Sequence, residues 1–396
     1  MTDLESFRAL MNKCSSCAFC QATCPSFSAD ISESLMPRAR MAVIRACLLD
    51  KTMPLTRRAK KIINQCLLCG NCTRTCPASI PVEEMAALAK EMIGGPDFLT
   101  GMVTKKFMEG RGLTGLLRLS ANLGRAMGIS PKEVPAFAAE QFAPSDAFYP
   151  AIGDERARVV YFVGCAANSL YPQTAKDVVD VLTKNGVAVT VPAGITCCGQ
   201  AAYSSGDLKN AARLASVNAE VLGGADTVIT ECTSCAHFFR SKAAKVAGDD
   251  HPSIEKIRAL GTKVIEATDY LAALGLSSEP ARLEISATYH LPCHRGFSAT
   301  CDDAPRKLLR QVPGIDWREM AHPDACCGAG GLFFAKNRKM SENIKSRKMA
   351  DISKTGAECV VTACPMCNSF ISGPFRQIKT MHPLSLLARA YQEEAN

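Results

Sequence analysis

The sequence predicts an α+β multidomain chain, with a helical N-terminal unit that binds metal through two cysteine groups followed by two duplicated α/β units. Two observations carry this. One cysteine pattern is written twice near the N-terminus, as Cys14-Ser-Ser-Cys17-Ala-Phe-Cys20-Gln-Ala-Thr-Cys24-Pro25 and Cys66-Leu-Leu-Cys69-Gly-Asn-Cys72-Thr-Arg-Thr-Cys76-Pro77. A longer pattern is written twice in the C-terminal part. Cys293 follows Cys165 by 128 residues, Cys326 follows Cys197 by 129, and Cys364 follows Cys232 by 132. Offsets this constant mark a duplication. The expected divisions are 1–95, a helical linker 96–154, a first repeat 155–280 and a second repeat 281–396.

Composition narrows the class. A chain of 396 residues is long enough for two or three domains with sizeable cores. Its 21 cysteines are an odd number, and the start Met1-Thr-Asp-Leu-Glu-Ser lacks the basic and apolar regions of a secretory signal. Reduced, metal-binding cysteines in the cytoplasm are therefore expected, not a disulfide framework. No run approaches the roughly 18 apolar residues that a membrane helix needs. The net charge of +8 is dispersed along the chain, suits the neighbourhood of anionic clusters or an acidic partner, and accompanies no nucleic-acid motif.

In chain order, Leu4, Phe7, Leu10 and Met11 recur at helical spacing and predict a short entry helix. Both N-terminal cysteine patterns then follow the bacterial ferredoxin run C-x2-C-x2-C-x3-C-P. Three thiolates spaced by two residues wrap one cube, and the fourth, held out by three residues and a proline, is aimed at the neighbouring one. The ligand sets should cross: Cys14, Cys17, Cys20 and Cys76 on one 4Fe-4S cluster, and Cys66, Cys69, Cys72 and Cys24 on the other. Zinc is the alternative for any pair of CxxC motifs; the spacing, matched twice with its proline, argues for iron and sulfide. Between the motifs, Met36 to Leu49 carries apolar residues at three and four and predicts a helix, with Arg38 and Arg40 either near cluster sulfides or on a solvated face. That long link resembles the helical ferredoxin type of respiratory complexes.

From Ile80 to about Phe148 the sequence reads as packing helices and linker. The first repeat is expected to run strand Arg158–Val163, helix Ala175–Lys184, strand Val187–Val191, helix Asn210–Leu222 and strand Asp226–Thr230. The second runs strand Leu283–Tyr289, helix Ala304–Gln311, helix Asn343–Ile352 and strand Cys359–Thr362. Alternating strands and helices imply parallel sheets. Cys165, Cys232, Cys293 and Cys364 each fall just past a strand, where parallel α/β sheets collect ligands.

These repeats resemble the cysteine-rich CCG domain family, and both sets are intact: Cys165, Cys197, Cys198, Cys232 and Cys235, then Cys293, Cys326, Cys327, Cys364 and Cys367. The resemblance implies one or two further, non-cubane 4Fe-4S clusters, with zinc or vestigial sites as the alternative. The whole order of parts is similar to the iron-sulfur subunits of glycolate oxidase and D-lactate dehydrogenase. It is shared with anaerobic glycerol-3-phosphate dehydrogenase and with the large subunit of heterodisulfide reductase. Eighteen ligands leave Cys47 and Cys359 as core residues and Cys301 as a loop thiol.

His290-Leu-Pro-Cys293-His294 suggests a mixed-ligand zinc site, or histidines that donate a hydrogen bond or relay a proton beside a cluster, or a plain structural role. Gly328-Ala-Gly330-Gly331 fails as a dinucleotide fingerprint, because Phe333 stands at its third glycine; a turn bringing amides near sulfur is the better account. No flavin or nicotinamide motif appears. Oxidising an alcohol carbon requires a hydride acceptor, which iron-sulfur cubes are not. The resemblance therefore implies an electron-transfer subunit with no flavin of its own, a partner FAD-binding dehydrogenase subunit for glycolate or D-lactate, and a quinone or other carrier as acceptor. Peripheral attachment to the inner face of the cytoplasmic membrane would follow. A heterodisulfide-reductase-like catalytic role and glycerol 3-phosphate are the alternatives.

Overall fold

The computed structural model describes residues 4–96, 137–295, 304–372 and 378–393, together with Gly101, Lys105, Met108 and Glu109. Cys301 and most of the expected linker lie outside the described residues.

The N-terminal unit is helical. A 3-10 turn Glu5–Phe7 and the helix Arg8–Met11 precede the first cysteine pattern, and the expected Met36–Leu49 helix is the α-helix Pro37–Ile44 continued by a π-helical turn Arg45–Leu49. Proline begins that helix because its missing N–H would have been unpaired there anyway. The next helix, Arg57–Asn64, starts at Thr56, whose Oγ1 accepts from the Ala59 amide at 3.2 Å. The helix Val82–Met92, in a stretch read from the sequence only as packing helices and linker, lies at the junction of the helical unit and the first repeat. Every residue from Val82 to Lys90 is buried, between helices Pro37–Ile44 and Arg57–Asn64 on one side and Gln200–Ser205 and Leu208–Leu222 of the first repeat on the other.

The repeats form two sheets. Strands β1 (Ala147–Tyr149), β2 (Ala157–Tyr161), β3 (Val187–Val191), β4 (Val228–Thr230) and β5 (Val264–Glu266) make the first, ordered β1-β3-β2-β4-β5 and parallel except for β1. Strands β6 (Ile285–Tyr289), β7 (Ile315–Trp317), β8 (Cys359–Val361) and β9 (Lys379–Met381) make the second, ordered β7-β6-β8-β9 and parallel throughout. In both, the strand before the first cysteine pairs with the strand before the CxxC. Val and Ile dominate β3, β4 and β8, whose residues are nearly all buried, as strands covered on both faces of a parallel sheet require.

One apolar core spans the two repeats, with Tyr161, Val189 and Ile229 of the first joined to Ala287, Tyr289 and Val361 of the second. The last helix, Pro383–Glu393, packs on Pro172–Lys184 of the first repeat, and Asn185 Nδ2 donates to Tyr391 Oη at 3.1 Å. Each repeat thus buries part of the other.

Four strands, β1, β5, β7 and β9, have no counterpart in the sequence reading. Each is three residues long, too short to establish a period of two, and β1 is an antiparallel edge whose Phe148 is exposed. Cys359 is buried in β8 and Cys47 at the π-helical turn, both as core residues. No helix among the described residues is long and apolar enough to cross a membrane.

Candidate metal centres

The two N-terminal cysteine loops share a backbone device. Ser16 and Ala18 in the first, and Leu68 and Gly70 in the second, take left-handed conformations on either side of the middle cysteine, with φ of 57°, 66°, 54° and 72°. Three of these four are not glycine, and such residues cost on the order of 1 kcal/mol or more each. That strain is the local signature of a loop curled to bring its thiols to one side. Cys14, Cys17, Cys20 and Cys76 line one cavity, whose wall Cys72 also reaches, and the Arg38 guanidinium at its edge donates to the Ser16 carbonyl at 3.2 Å. Cys66, Cys69, Cys72 and Cys24 form the other group. Burial pushes the Cys69 thiol up to about 12 and Cys72 well above its ordinary value, and the fields of Cys24 and Cys66 add to both. The structure brings Cys76 to the first triplet and Cys24 to the second.

Arg40 is buried and not on a solvated face: it donates to the carbonyls of Leu35, Ile62 and Gln65, ties the two motifs together, and shares the Leu35 carbonyl with the Cys24 thiol, which donates to it at 3.7 Å.

In the first repeat Cys165 follows β2, Cys232 follows β4, and the Cys197-Cys198 doublet comes in on the loop after β3. Cys165 Sγ lies 3.6 Å from Cys197 Sγ, and Cys198 and Cys232 both adjoin Cys235. The second repeat copies this: Cys327 Sγ lies 3.4 Å from Cys367 Sγ, with Cys326, Cys364 and Cys293 beside them. The Gly328 amide donates to Cys326 Sγ at 3.3 Å and the Gln200 amide to Cys198 Sγ at 3.5 Å, so the turn after each doublet does aim N–H groups at sulfur.

The glycine of each doublet is required there. Gly199 has φ +112° and a Cβ on it would meet the Phe238 ring at 2.8 Å and the Ala211 carbonyl oxygen at 3.0 Å; Gly328 has φ +97° with the Ser341 carbonyl oxygen at 2.7 Å. Gly199→Ala is expected to destabilise the protein by about 1–3 kcal/mol through strain and overpacking, read as a lower denaturation midpoint. An unchanged midpoint would mean that this turn relaxes freely.

The four cysteine groups are contiguous. Cys69 of the ferredoxin-type unit acts on Cys293 and Cys326, and all three border one apolar cluster with Leu67 and Phe333. Across the repeats Cys232 adjoins Cys364, which also lies 3.7 Å from Ser234 Oγ, and the Thr233 amide donates to the Ala363 carbonyl at 3.1 Å. Ser234 Oγ pairs with His294 Nδ1 at 2.9 Å, and the His294 ring stacks on His237 at 5.0 Å. Both histidines lie between the repeats and among the polar side chains of one small cavity. Burial lowers the basicity of both rings.

Residues that carry no motif hold this arrangement. Lys90 Nζ donates to the Cys66 carbonyl at 2.8 Å and the Ser204 carbonyl at 3.0 Å, joining the ferredoxin-type unit to the first repeat. Burial pulls its ammonium down to about 8. Glu231, fully buried beside Cys232, accepts from Tyr161 Oη at 2.9 Å and from the Gly164 amide at 3.0 Å. No sequence signal marks either, because each acts on a residue far away in the chain.

The donor sets fit iron and sulfide. Each repeat gathers five thiols, two of them adjacent in sequence, where a tetrahedral zinc takes four. Soft thiolates in such number select iron-sulfur, zinc or cuprous ions over hard cations.

A family model described as a 4Fe-4S dicluster domain matches residues 10–80, and one described as a cysteine-rich domain, CCG, matches 159–240 and 287–372. The chain is 31% identical over 237 residues to lactate utilization protein A 2 of Bacillus cereus, covering 59% of this chain and 98% of that protein. Lactate utilization protein A 1 of Bacillus anthracis is 30% identical over the same shares. An uncharacterized iron-sulfur protein of Methanococcus maripaludis is 28% identical over 324 residues, or 81% of this chain; the match spans 59% of that longer protein. A hypothetical protein from Helicobacter pylori has a similar fold, with a TM-score of 0.50 at 8% identity, covering 98% of this chain and 75% of that one. Since the lactate utilization proteins are matched almost end to end, and the cysteine-rich domain is found twice behind a dicluster domain, this chain belongs to the family of iron-sulfur proteins with cysteine-rich CCG domains that includes lactate utilization protein A.

Proposed function

We propose that this chain is the electron-transfer subunit of a multi-subunit, FAD-dependent 2-hydroxy-acid dehydrogenase, for D-lactate or glycolate. Cys14, Cys17, Cys20 and Cys76 would hold one 4Fe-4S cubane, and Cys66, Cys69, Cys72 and Cys24 the other. The five-cysteine sets of the repeats would hold two non-cubane centres. Such groups, when bound, accept and pass single electrons. The partner FAD subunit removes the hydride and the electrons leave to a quinone or other carrier, with peripheral attachment at the membrane if the carrier is a quinone.

The observation that carries this reading is the contiguity of the four thiol groups, from Cys14 through Cys69 and Cys293 to Cys364 and Cys232. A chain of redox centres is what one-electron conduction needs, whereas four isolated structural ions have no reason to adjoin. The Bacillus relatives are named for lactate utilization, which supports the choice of acid. What this chain's own residues do is local: the amides of Gly328 and Gln200 donate to sulfur, Arg40 ties the two ferredoxin-type motifs together, and Lys90 holds the second of them against the first repeat.

The contact of Cys232 with Cys364 across complete repeats favours a second reading, reductive cleavage of a disulfide between the repeats, as in heterodisulfide reductase. One experiment separates them. Anaerobic purification with whatever co-purifies, followed by assay of iron, sulfide, zinc and flavin, is expected to give about sixteen irons per chain, four for each centre, and FAD on a companion protein. The chain alone should not oxidise the acid. Zinc in place of iron, or turnover of the acid without a flavoprotein, would overturn the reading. Reoxidation of the reduced chain by a disulfide would favour the second.

A further inference from the structure

The two repeats differ at one buried position beside their centres. Backbone position for position, Phe162 at the end of β2 corresponds to His290 at the end of β6: the Phe162 amide donates to the Ile229 carbonyl at 2.8 Å, and the His290 amide to the Val361 carbonyl at 2.9 Å. Phe162 is an ordinary core residue, packed edge to face on Phe239 with ring centres 5.0 Å apart. The fold therefore needs no polar group at this point.

His290 is 1% exposed, and its ring nitrogens meet no oxygen or nitrogen partner among the described residues, only the Cys327 sulfur, which the ring acts on. A ring nitrogen of His290 lies with Cys327 Sγ and Cys367 Sγ in a buried group whose atoms are all within 4.8 Å of one another. An imidazole without an oxygen or nitrogen partner in a dry core costs free energy that phenylalanine would not. Its position against two sulfurs gives the reason to keep it. Neutral imidazole is a good ligand for iron and zinc alike.

We propose that His290 is a nitrogen ligand to the iron bound by Cys327 and Cys367, so that the second repeat's centre has a mixed histidine-cysteine set while the first repeat's is all thiolate. This rests on the reading that the second repeat holds an iron-sulfur centre. Both repeats keep five thiols, so His290 replaces none of them: it adds a neutral nitrogen donor that Phe162 cannot supply, and the duplicated units are not interchangeable in the electron path.

The test is pulsed electron paramagnetic resonance on the reduced holoprotein, prepared with natural-abundance and with 15N-labelled histidine. The expected result is a coupling from directly bound nitrogen that changes with the isotope and disappears in His290→Phe. To separate loss of the nitrogen bond from loss of the centre itself, His290→Cys is measured beside it: it should keep the iron, lose the nitrogen coupling and shift the midpoint potential downward. His294→Asn should keep the coupling. Full iron content without a bound-nitrogen signal, or a signal that survives in His290→Cys, overturns the assignment while leaving the electron-transfer reading intact. Iron missing from the second repeat, or zinc in its place, overturns both.

Discussion

Cys24→Ser is expected to abolish the centre assigned to Cys66, Cys69 and Cys72, more than forty residues away along the chain, and to spare the centre assigned to Cys14, Cys17 and Cys20 beside it in sequence. The reason is geometric: Cys24 stands in the field of Cys69 and Cys72, while the cavity lined by Cys14, Cys17 and Cys20 is completed by Cys76. Cys76→Ser should give the reverse. Iron and sulfide per chain should fall by about four of each in either variant, one cube's complement, and the two reduced spectra should lose different components. If Cys24→Ser removed the component that Cys17→Ser removes, the ligand sets would not cross. Serine keeps the size of the side chain and withdraws the soft thiolate, so the loss reads ligation and not packing.

Lys242→Met is expected to cost about 3–5 kcal/mol, the penalty for leaving a buried charge without its partner. Lys242, almost fully buried, contacts Glu83 and lies 3.1 Å from Glu84, which also pairs with Lys245 at 2.8 Å. Both glutamates are in the helix Val82–Met92 and both lysines follow the Cys232-Cys235 helix, so this group bolts the ferredoxin-type unit to the first repeat. Burial works to raise the Glu84 carboxyl, and the two lysine charges outweigh it and hold it below its usual range. Methionine keeps the stem and removes the charge, stranding Glu83, one of whose oxygens already lacks a partner. A denaturation midpoint within 1 kcal/mol of the parent protein would refute this. The double variant Glu83→Gln with Lys242→Met should recover part of the loss, because the stranded charge is gone.

Much of the architecture was legible because its signals are local. A cysteine triplet spaced by two residues presents its sulfurs to one object whatever the rest of the chain does, and the paired left-handed residues Ser16, Ala18, Leu68 and Gly70 are the backbone form of that spacing. Long apolar strands such as Val187–Val191 declared themselves to the residue. Three-residue strands such as β5 and β9 did not, since hydrogen bonds from neighbouring strands, and not their own composition, make them strands. The stretch from Ile80 to about Phe148 reads only as packing helices and linker, and nothing local marks the helix Val82–Met92 as the keystone, because its partners Ser204 and Lys242 are more than a hundred residues away.

The sequence by itself determined the candidate donors: eighteen cysteines in four groups, their soft chemistry, the duplication of the α/β unit and the placing of cysteines past strand ends. Contiguous segments set these through covalent spacing, which tertiary packing cannot alter. Only the tertiary structure decided who meets whom. That Cys69 adjoins Cys293, that Cys232 adjoins Cys364, and that His290 stands with Cys327 and Cys367 where Phe162 fills the core of the sister repeat are all long-range outcomes. They depend on how two sheets and a helical unit bury their apolar faces together, and the burial of each face is satisfied by residues that no local pattern names.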